Sequence, residues 1–77
     1  MNSDVIEIIV SDRIGKKNRI KCSKNDTILT LRKIVSMHIG VNYEKIKLQL
    51  GYRVLNDNIT IDDYEIKNGS MIELYYN

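Results

Sequence analysis

A chain of 77 residues has room for one domain with a thin core, since a domain of this size buries only about 60% of its unfolded surface. The sequence holds five tyrosines but no Phe or Trp, so Ile, Leu and Val must carry the packing, and the β-branched residues among these favour strands. The sequence has neither an apolar run near the roughly 18 residues of a membrane span nor a signal-peptide pattern, so we expect a soluble intracellular protein with no membrane partner.

The first predicted elements are two strands joined by a tight turn. After a polar start that we expect to be frayed (residues 1–4), apolar and polar residues alternate from Ile6 and predict a half-buried strand. Gly15, placed late in the short polar loop, supplies the left-handed residue of a bulged hairpin turn. The return strand is predicted from Lys17 to Ser23.

A helix follows, with Thr27 as its N-cap and Gly40 at its C-terminal end. Apolar residues recur within it at spacings of three and four: Ile28, Leu31, Ile34 and Val35. Ile34 lies about 100° from Val35 around the helix, at the edge of the core stripe, so we expect it to be partly exposed.

The second half of the chain alternates again from Lys45 to Leu50 and predicts a third strand. A short strand over residues 53–55, a loop-rich stretch with a short helical turn, and a last strand over residues 70–76 follow. A hairpin, a crossing helix and further strands predict an α+β fold, a sheet packed on one helix, within a single domain over residues 1–77.

No residue set predicts catalysis, a cofactor or a metal site. Cys22 is the only cysteine and His38 the only histidine, and nothing in the spacing brings them together as nucleophile and base. We therefore interpret Cys22 as a buried structural residue. The acidic residues of segment 57–65 lack the regular spacing of a calcium loop. We expect a protein that is not an enzyme and holds no cofactor.

Positive charge is concentrated in the first part of the chain. Residues 1–33 contain eight Lys/Arg and four acids, whereas residues 34–77 contain four Lys/Arg and six acids. The simplest interpretation is a solvated, mildly dipolar surface, and the sharper one is a basic hairpin that meets an acidic partner or a phosphate backbone. Direct RNA binding through Lys16 and Lys17 is disfavoured, because we expect no exposed aromatic platform beside these charges.

Several motifs resemble ubiquitin at matching spacing: Asp26-Thr27-Ile28, the helix that ends at Gly40, Leu48-Gln49-Leu50 and Asp63-Tyr64-Glu65-Ile66. The turn Asp12-Arg13-Ile14-Gly15-Lys16-Lys17 and the ending Glu73-Leu74-Tyr75-Tyr76 are similar to a narrower group, the ubiquitin-like protein 5 family of homologous-to-ubiquitin splicing modifiers. The resemblance covers about residues 5–77. It implies a ubiquitin-like β-grasp with a mixed sheet of four to five strands, a role in pre-mRNA splicing, and residence in nucleus and cytoplasm.

Departures from ubiquitin bear on how the domain is used. Arg13, Gln49 and Tyr75 occupy the positions of ubiquitin's apolar patch, and Arg53 replaces the lysine most used for chains. No glycine lies beyond Gly69, whereas conjugated domains need a flexible Gly-Gly extension. These departures favour a domain that binds partners over one that is ligated to them. We also expect a monomer. The alternative is a covalent tag activated after processing at Tyr76.

The resemblance also implies a binding site for a short helical motif of a spliceosomal protein, without covalent linkage. Asp26 matches the acid that pairs with an arginine of the motif. Ile34 is expected to supply the apolar contact, and His38 lies one turn further along the helix. Arg19 and Lys21 flank the groove from the second strand.

Each of these residues has a structural alternative. Asp26 can bond its own backbone at the helix start, Ile34 can be ordinary packing, and the remaining three can be solvated. Tyr64 resembles the ubiquitin tyrosine whose hydroxyl holds a nearby loop. Tyr75 and Tyr76 are a mark of the family, and we expect one to cover the sheet and the other to be exposed.

Overall fold

The computed structural model describes residues 4–77, which form five strands and one α-helix in the predicted order. The strands and the helix are β1 (Val5–Ser11), β2 (Lys17–Ser23), α1 (Ile28–Ile39), β3 (Ile46–Leu50), β4 (Arg53–Val54) and β5 (Met71–Tyr76). Short 3-10 turns over Tyr43–Lys45 and Asp62–Tyr64 complete the described part of the chain.

All the described strands belong to one mixed sheet, in the order β2-β1-β5-β3-β4. β1 pairs antiparallel with β2 along their full lengths, from Val5 opposite Ser23 to Ser11 opposite Lys17. β5 is central, parallel to β1 on one side and antiparallel to β3 on the other. The α+β prediction of a mixed sheet packed on one helix is confirmed, at the upper limit of the predicted strand number.

α1 lies across one face of the sheet and begins and ends where the sequence predicts. The Thr30 N–H donates to Thr27 Oγ1 (3.3 Å) at the N-cap. Gly40 adopts the left-handed φ of 74° that ends a helix, and its N–H donates to Ser36 O (2.8 Å). Within the described chain, no helix has both the length and the apolar character needed to cross a membrane.

The core fills the space between α1 and the inner face of the sheet. Buried side chains come from α1, from alternate positions of the strands and from the loop before β5: Ile6, Ile8, Val10, Ile20, Cys22, Ile28, Leu31, Val35, Ile46, Leu48, Leu55, Ile61, Ile66, Ile72 and Leu74. Ile34 is only partly buried, as predicted from its place beside the stripe.

Several predicted boundaries differ from the structure. β1 begins at Val5 rather than Ile6, and β5 begins at Met71 rather than at residue 70. Lys45 belongs to the 3-10 turn rather than to β3, because Asn42 Oδ1 accepts from the Glu44 N–H (2.9 Å) and holds a turn there. Leu55 lies beyond β4, although its N–H still donates to Leu48 O (2.9 Å). Asp4 is not frayed, because its carbonyl accepts from the Lys24 N–H (2.8 Å) and so extends the hairpin pairing. The rest of that prediction, on residues 1–3, lies outside the described chain.

Polar contacts hold the loops on the β3 side of α1. Arg32 Nη1 donates to both carboxylate oxygens of Asp57 (2.7 Å each), and Nη2 donates to Tyr43 O (2.9 Å). The Tyr64 hydroxyl accepts from the Asn56 N–H (2.8 Å), which confirms that this side chain fastens the nearby loop. The Arg53 guanidinium lies over the Tyr64 ring, 5.1 Å from its centroid.

Candidate partner-binding surface

The flank of α1 that faces β2 can be identified from Arg32. At about 100° per residue, Ile34 and His38 lie on one side of the buried stripe and Arg32 on the other. Arg32 reaches Asp57 and Tyr43 on the β3 side, so Ile34 and His38 lie on the flank toward β2. Ile34 is partly buried there and His38 is exposed. The structure therefore brings these two predicted residues together.

Asp26 lies at the start of the same helix and makes the local bond that was its structural alternative. Its Oδ2 accepts from the Ser23 N–H (3.0 Å), and its own N–H donates to Ser23 O (2.9 Å). Within residues 4–77, Oδ1 has no hydrogen bond or ion pair, and the side chain is half-buried. One carboxylate oxygen thus holds the turn, and the other keeps its capacity to accept a hydrogen bond beside the positive end of the helix dipole.

Cys22 lies below this end of the helix, buried on the inner face of β2 at 6% exposure. Burial, and to a lesser extent the negative charge of Asp26, raises the pKa of the Cys22 thiol from 9.0 to about 11. A thiol reacts as its thiolate, so Cys22 is an inert side chain at neutral pH. The prediction of a buried structural cysteine is confirmed.

We expect folding to suppress the reactivity of Cys22 and to make stability depend on alkaline pH. As the pH rises from about 9 to about 11, the unfolded chain loses this proton before the folded protein does, so the free energy of unfolding falls. Urea titrations across this range should show a steeper fall for wild type than for Cys22→Ala. At pH 8, labelling by a disulfide reagent should be at least tenfold slower before unfolding than after it. Equal labelling rates in the two states would contradict the burial.

Arg19 and Lys21 do not join this cluster. Ile20 and Cys22 point toward α1, so the alternation of β2 places Arg19 and Lys21 on the opposite face of the sheet. Arg19 Nη1 lies 3.5 Å from Glu7 Oε1 in an exposed ion pair, with 76% of the Arg19 side chain in solvent. Both residues are at the edge of the sheet and away from the Ile34 flank.

Sequence reasoning missed Met37, which is 82% exposed on α1. It lies three residues after Ile34, so the two side chains are neighbours on the helix surface. Together with His38 they form a strip along α1 in which Met37 and His38 are exposed and Ile34 is partly buried. The signal was present in the sequence, because Met37 is an apolar residue outside the core stripe.

The two C-terminal tyrosines differ in exposure, as expected. Tyr75 is half-buried with its hydroxyl 3.4 Å from Glu73 Oε2, and Tyr76 is 51% exposed. Tyr76 lines a cleft together with Arg13 and Ile14 of the hairpin turn. We expected no exposed aromatic platform beside the basic hairpin. One exposed ring does lie there, because the parallel pairing of β5 with β1 brings Tyr76 to the turn.

A mixed sheet with its last strand at the centre, packed on one helix that crosses it, defines the ubiquitin-like β-grasp class. The chain belongs to the ubiquitin family, whose family model matches residues 8–77.

Named relatives are similar to this chain over nearly its whole length. The chain is 54% identical over 72 residues to "Ubiquitin-like modifier HUB1" of Debaryomyces hansenii, covering 94% of this chain and 99% of the relative. It is 44% identical to the Saccharomyces cerevisiae protein of that name and 46% identical to "Ubiquitin-like protein 5" of Drosophila melanogaster, with the same coverage. The predicted resemblance is thereby confirmed, and these names support a ubiquitin-like modifier.

Proposed function

We propose that this ubiquitin-like modifier is a non-catalytic adaptor that binds a short helical motif of a spliceosomal protein without covalent linkage, and so modulates pre-mRNA splicing. The splicing role rests on the similarity of the hairpin turn and the C-terminal motif to the ubiquitin-like protein 5 family. The observation that supports the binding mode is Asp26, with one carboxylate oxygen not hydrogen-bonded within residues 4–77, at the start of a helix that carries Ile34, Met37 and His38 along one side.

The two parts of this surface contribute differently to affinity. An arginine of the motif gains a charge-assisted bond at Asp26, but an exposed pair of this kind stabilises by only about 0–1 kcal/mol. Apolar burial must supply the rest, at about 25 cal/mol for each Å² removed from water. Met37 is 82% exposed and offers most of its side chain for such contact. A helix laid along α1 satisfies both requirements.

The alternative is a covalent tag activated after processing at Tyr76. The structure offers one observation that bears on it. The Asn77 N–H donates to Lys45 O (2.9 Å), and Asn77 Nδ2 donates to Glu44 O (3.1 Å). The residue after β5 is thus held against the turn before β3, and it must be released before a protease can cut after Tyr76 to expose the carboxylate for activation. This arrangement favours the non-covalent mode.

Asp26→Asn tests the proposal while keeping an oxygen that can accept from the Ser23 N–H. We expect it to weaken the binding of a fluorescent helical peptide from a spliceosomal protein, carrying one arginine, by about two- to fivefold. The arginine-to-alanine peptide should bind wild type and variant equally weakly. Fluorescence anisotropy at fixed ionic strength measures both affinities.

Glu44→Gln is the control for the loss of one carboxylate charge, because Glu44 is exposed and lies in the turn Tyr43–Lys45. Its affinity for the peptide should equal that of wild type. Equal affinity of Asp26→Asn and wild type rejects the proposed site. Adducts that survive boiling with detergent and reductant, and vanish when the C-terminus is blocked, contradict the non-covalent mode instead.

A further inference from the structure

The turn between β1 and β2 is a rigid loop that presents an apolar side chain to solvent. Asp12 Oδ1 accepts from the N–H groups of Ile14 (3.1 Å) and Lys16 (2.9 Å), and Gly15 closes the turn with a φ of 87°. The Asp12 N–H also donates to Lys16 O (3.0 Å). Ile14 is 89% exposed at this tip. An aliphatic side chain held in solvent by a well-bonded turn costs little entropy when a partner covers it.

Positive charge surrounds Ile14. Arg13, Lys16 and Lys17 are all exposed, and none of them has an ion pair within residues 4–77. The nearest acid along the chain, Asp12, already accepts two backbone hydrogen bonds. These cations are therefore available to the carboxylates of a partner.

Tyr76 forms one side of a cleft at the tip of the β1–β2 turn. The cleft lined by Asp12, Arg13, Ile14 and Tyr76, which we call the tip cleft, has a volume of about 400 Å³. A neighbouring cleft of about 330 Å³ shares the Asp12 and Arg13 wall and extends to Glu73. Both clefts are open to solvent, so a chain segment can lie in them without being enclosed. The tip cleft thus combines two apolar walls with a cation at its rim.

We propose that the tip cleft binds an acidic peptide segment that carries one large apolar side chain. The apolar side chain lies between Ile14 and Tyr76, and flanking carboxylates pair with Arg13 and Lys16. A peptide fits better than a nucleic acid, because Asp12 and Glu73 line the clefts and oppose a phosphate backbone, whereas a peptide places its charges only at the basic rim. This site is separate from the α1 surface and does not depend on the proposed function.

The test uses the full chain and a defined probe, the blocked peptide acetyl-Gly-Glu-Glu-Leu-Glu-Gly-amide, followed by amide chemical shifts. We expect the shifts to concentrate in residues 12–17 and at Tyr76. Ile14→Ser removes the exposed wall without touching the core and should weaken binding by about tenfold. Tyr52→Ser is the matched control, because Tyr52 is 104% exposed in the turn between β3 and β4 and should leave the affinity unchanged.

Other probes separate the competing explanations. Replacing the peptide leucine by serine should lower affinity as much as Ile14→Ser does, and Arg13→Ser should lower it further at low salt. Equal affinity for the leucine and serine peptides, no shifts at millimolar peptide, or shifts centred on α1 would overturn the proposal. Tighter binding of hexauridylate than of the peptide at the same residues would also overturn it, in favour of a nucleic-acid site.

Discussion

Leu31→Ala is expected to lower the free energy of unfolding by about 2–5 kcal/mol, the largest effect of a single substitution considered for this chain. Leu31 is fully buried on α1 within the core between helix and sheet. The substitution removes three carbon atoms, so the protein loses the free energy gained by burying them. It also leaves a cavity that the surrounding close-packed core fills only in part. The total free energy of unfolding of a small domain is about 5–15 kcal/mol, so the variant retains only part of its stability.

Urea denaturation followed by circular dichroism measures this change, and the slope of the transition should stay that of wild type. Met37→Ala on the same helix is the control, because Met37 is 82% exposed, and it should change stability by less than about 0.5 kcal/mol. A loss at Leu31 no larger than the loss at Met37 would mean that α1 does not cover the core as described.

The second expected result is that Asp57→Asn lowers the free energy of unfolding by about 1–2 kcal/mol. The Arg32 side chain is 16% exposed and Asp57 is 37% exposed, so this ion pair lies partly out of water. Arg32 Nε is buried without a hydrogen-bond partner in the described part of the chain, so the guanidinium depends on Asp57 and Tyr43 O. Asparagine keeps one acceptor but leaves the buried positive charge without its counter-charge.

Glu7→Gln provides the comparison, because Glu7 pairs with Arg19 at 3.5 Å on the open surface. Exposed pairs contribute about 0–1 kcal/mol and are screened by salt, so this variant should be close to wild type at 0.5 M NaCl. The Asp57→Asn loss should persist in salt. If salt abolishes that loss as well, the Arg32 pair is a surface contact and not a structural tie between α1 and the loop.

The features that could be predicted from the sequence are those that depend on short-range patterns of apolar and polar residues. Alternation identifies β1, β2 and β5, and a polar residue before an apolar stripe with a glycine after it places α1 from Thr27 to Gly40. The partial exposure of Ile34 and the burial of Cys22 follow from the same periodicities. These features depend on neighbours within a few positions along the chain.

What could not be predicted depends on contacts between distant segments. Arg32 looks like any charged residue on the polar side of a helix until the fold brings Asp57 to it. Tyr76 is far from Ile14 in the sequence, and only the parallel pairing of β5 with β1 places both on one cleft. Arg19 and Lys21 were predicted on the outward face of β2 and beside the groove, but the outward face of β2 lies on the side of the sheet away from α1.

The central position of β5 has a consequence for biosynthesis. While a ribosome makes this protein, the hairpin of β1 and β2 is complete early, but β1 and β3 keep unpaired edges until residues 71–76 have emerged. The nascent domain must therefore wait for its last strand before the two halves of the sheet are joined, and such distant pairing is slow to form. Until that segment has emerged, the apolar side of α1 is not covered by a complete sheet, so this is the stage at which the chain is most prone to aggregate and most in need of chaperones.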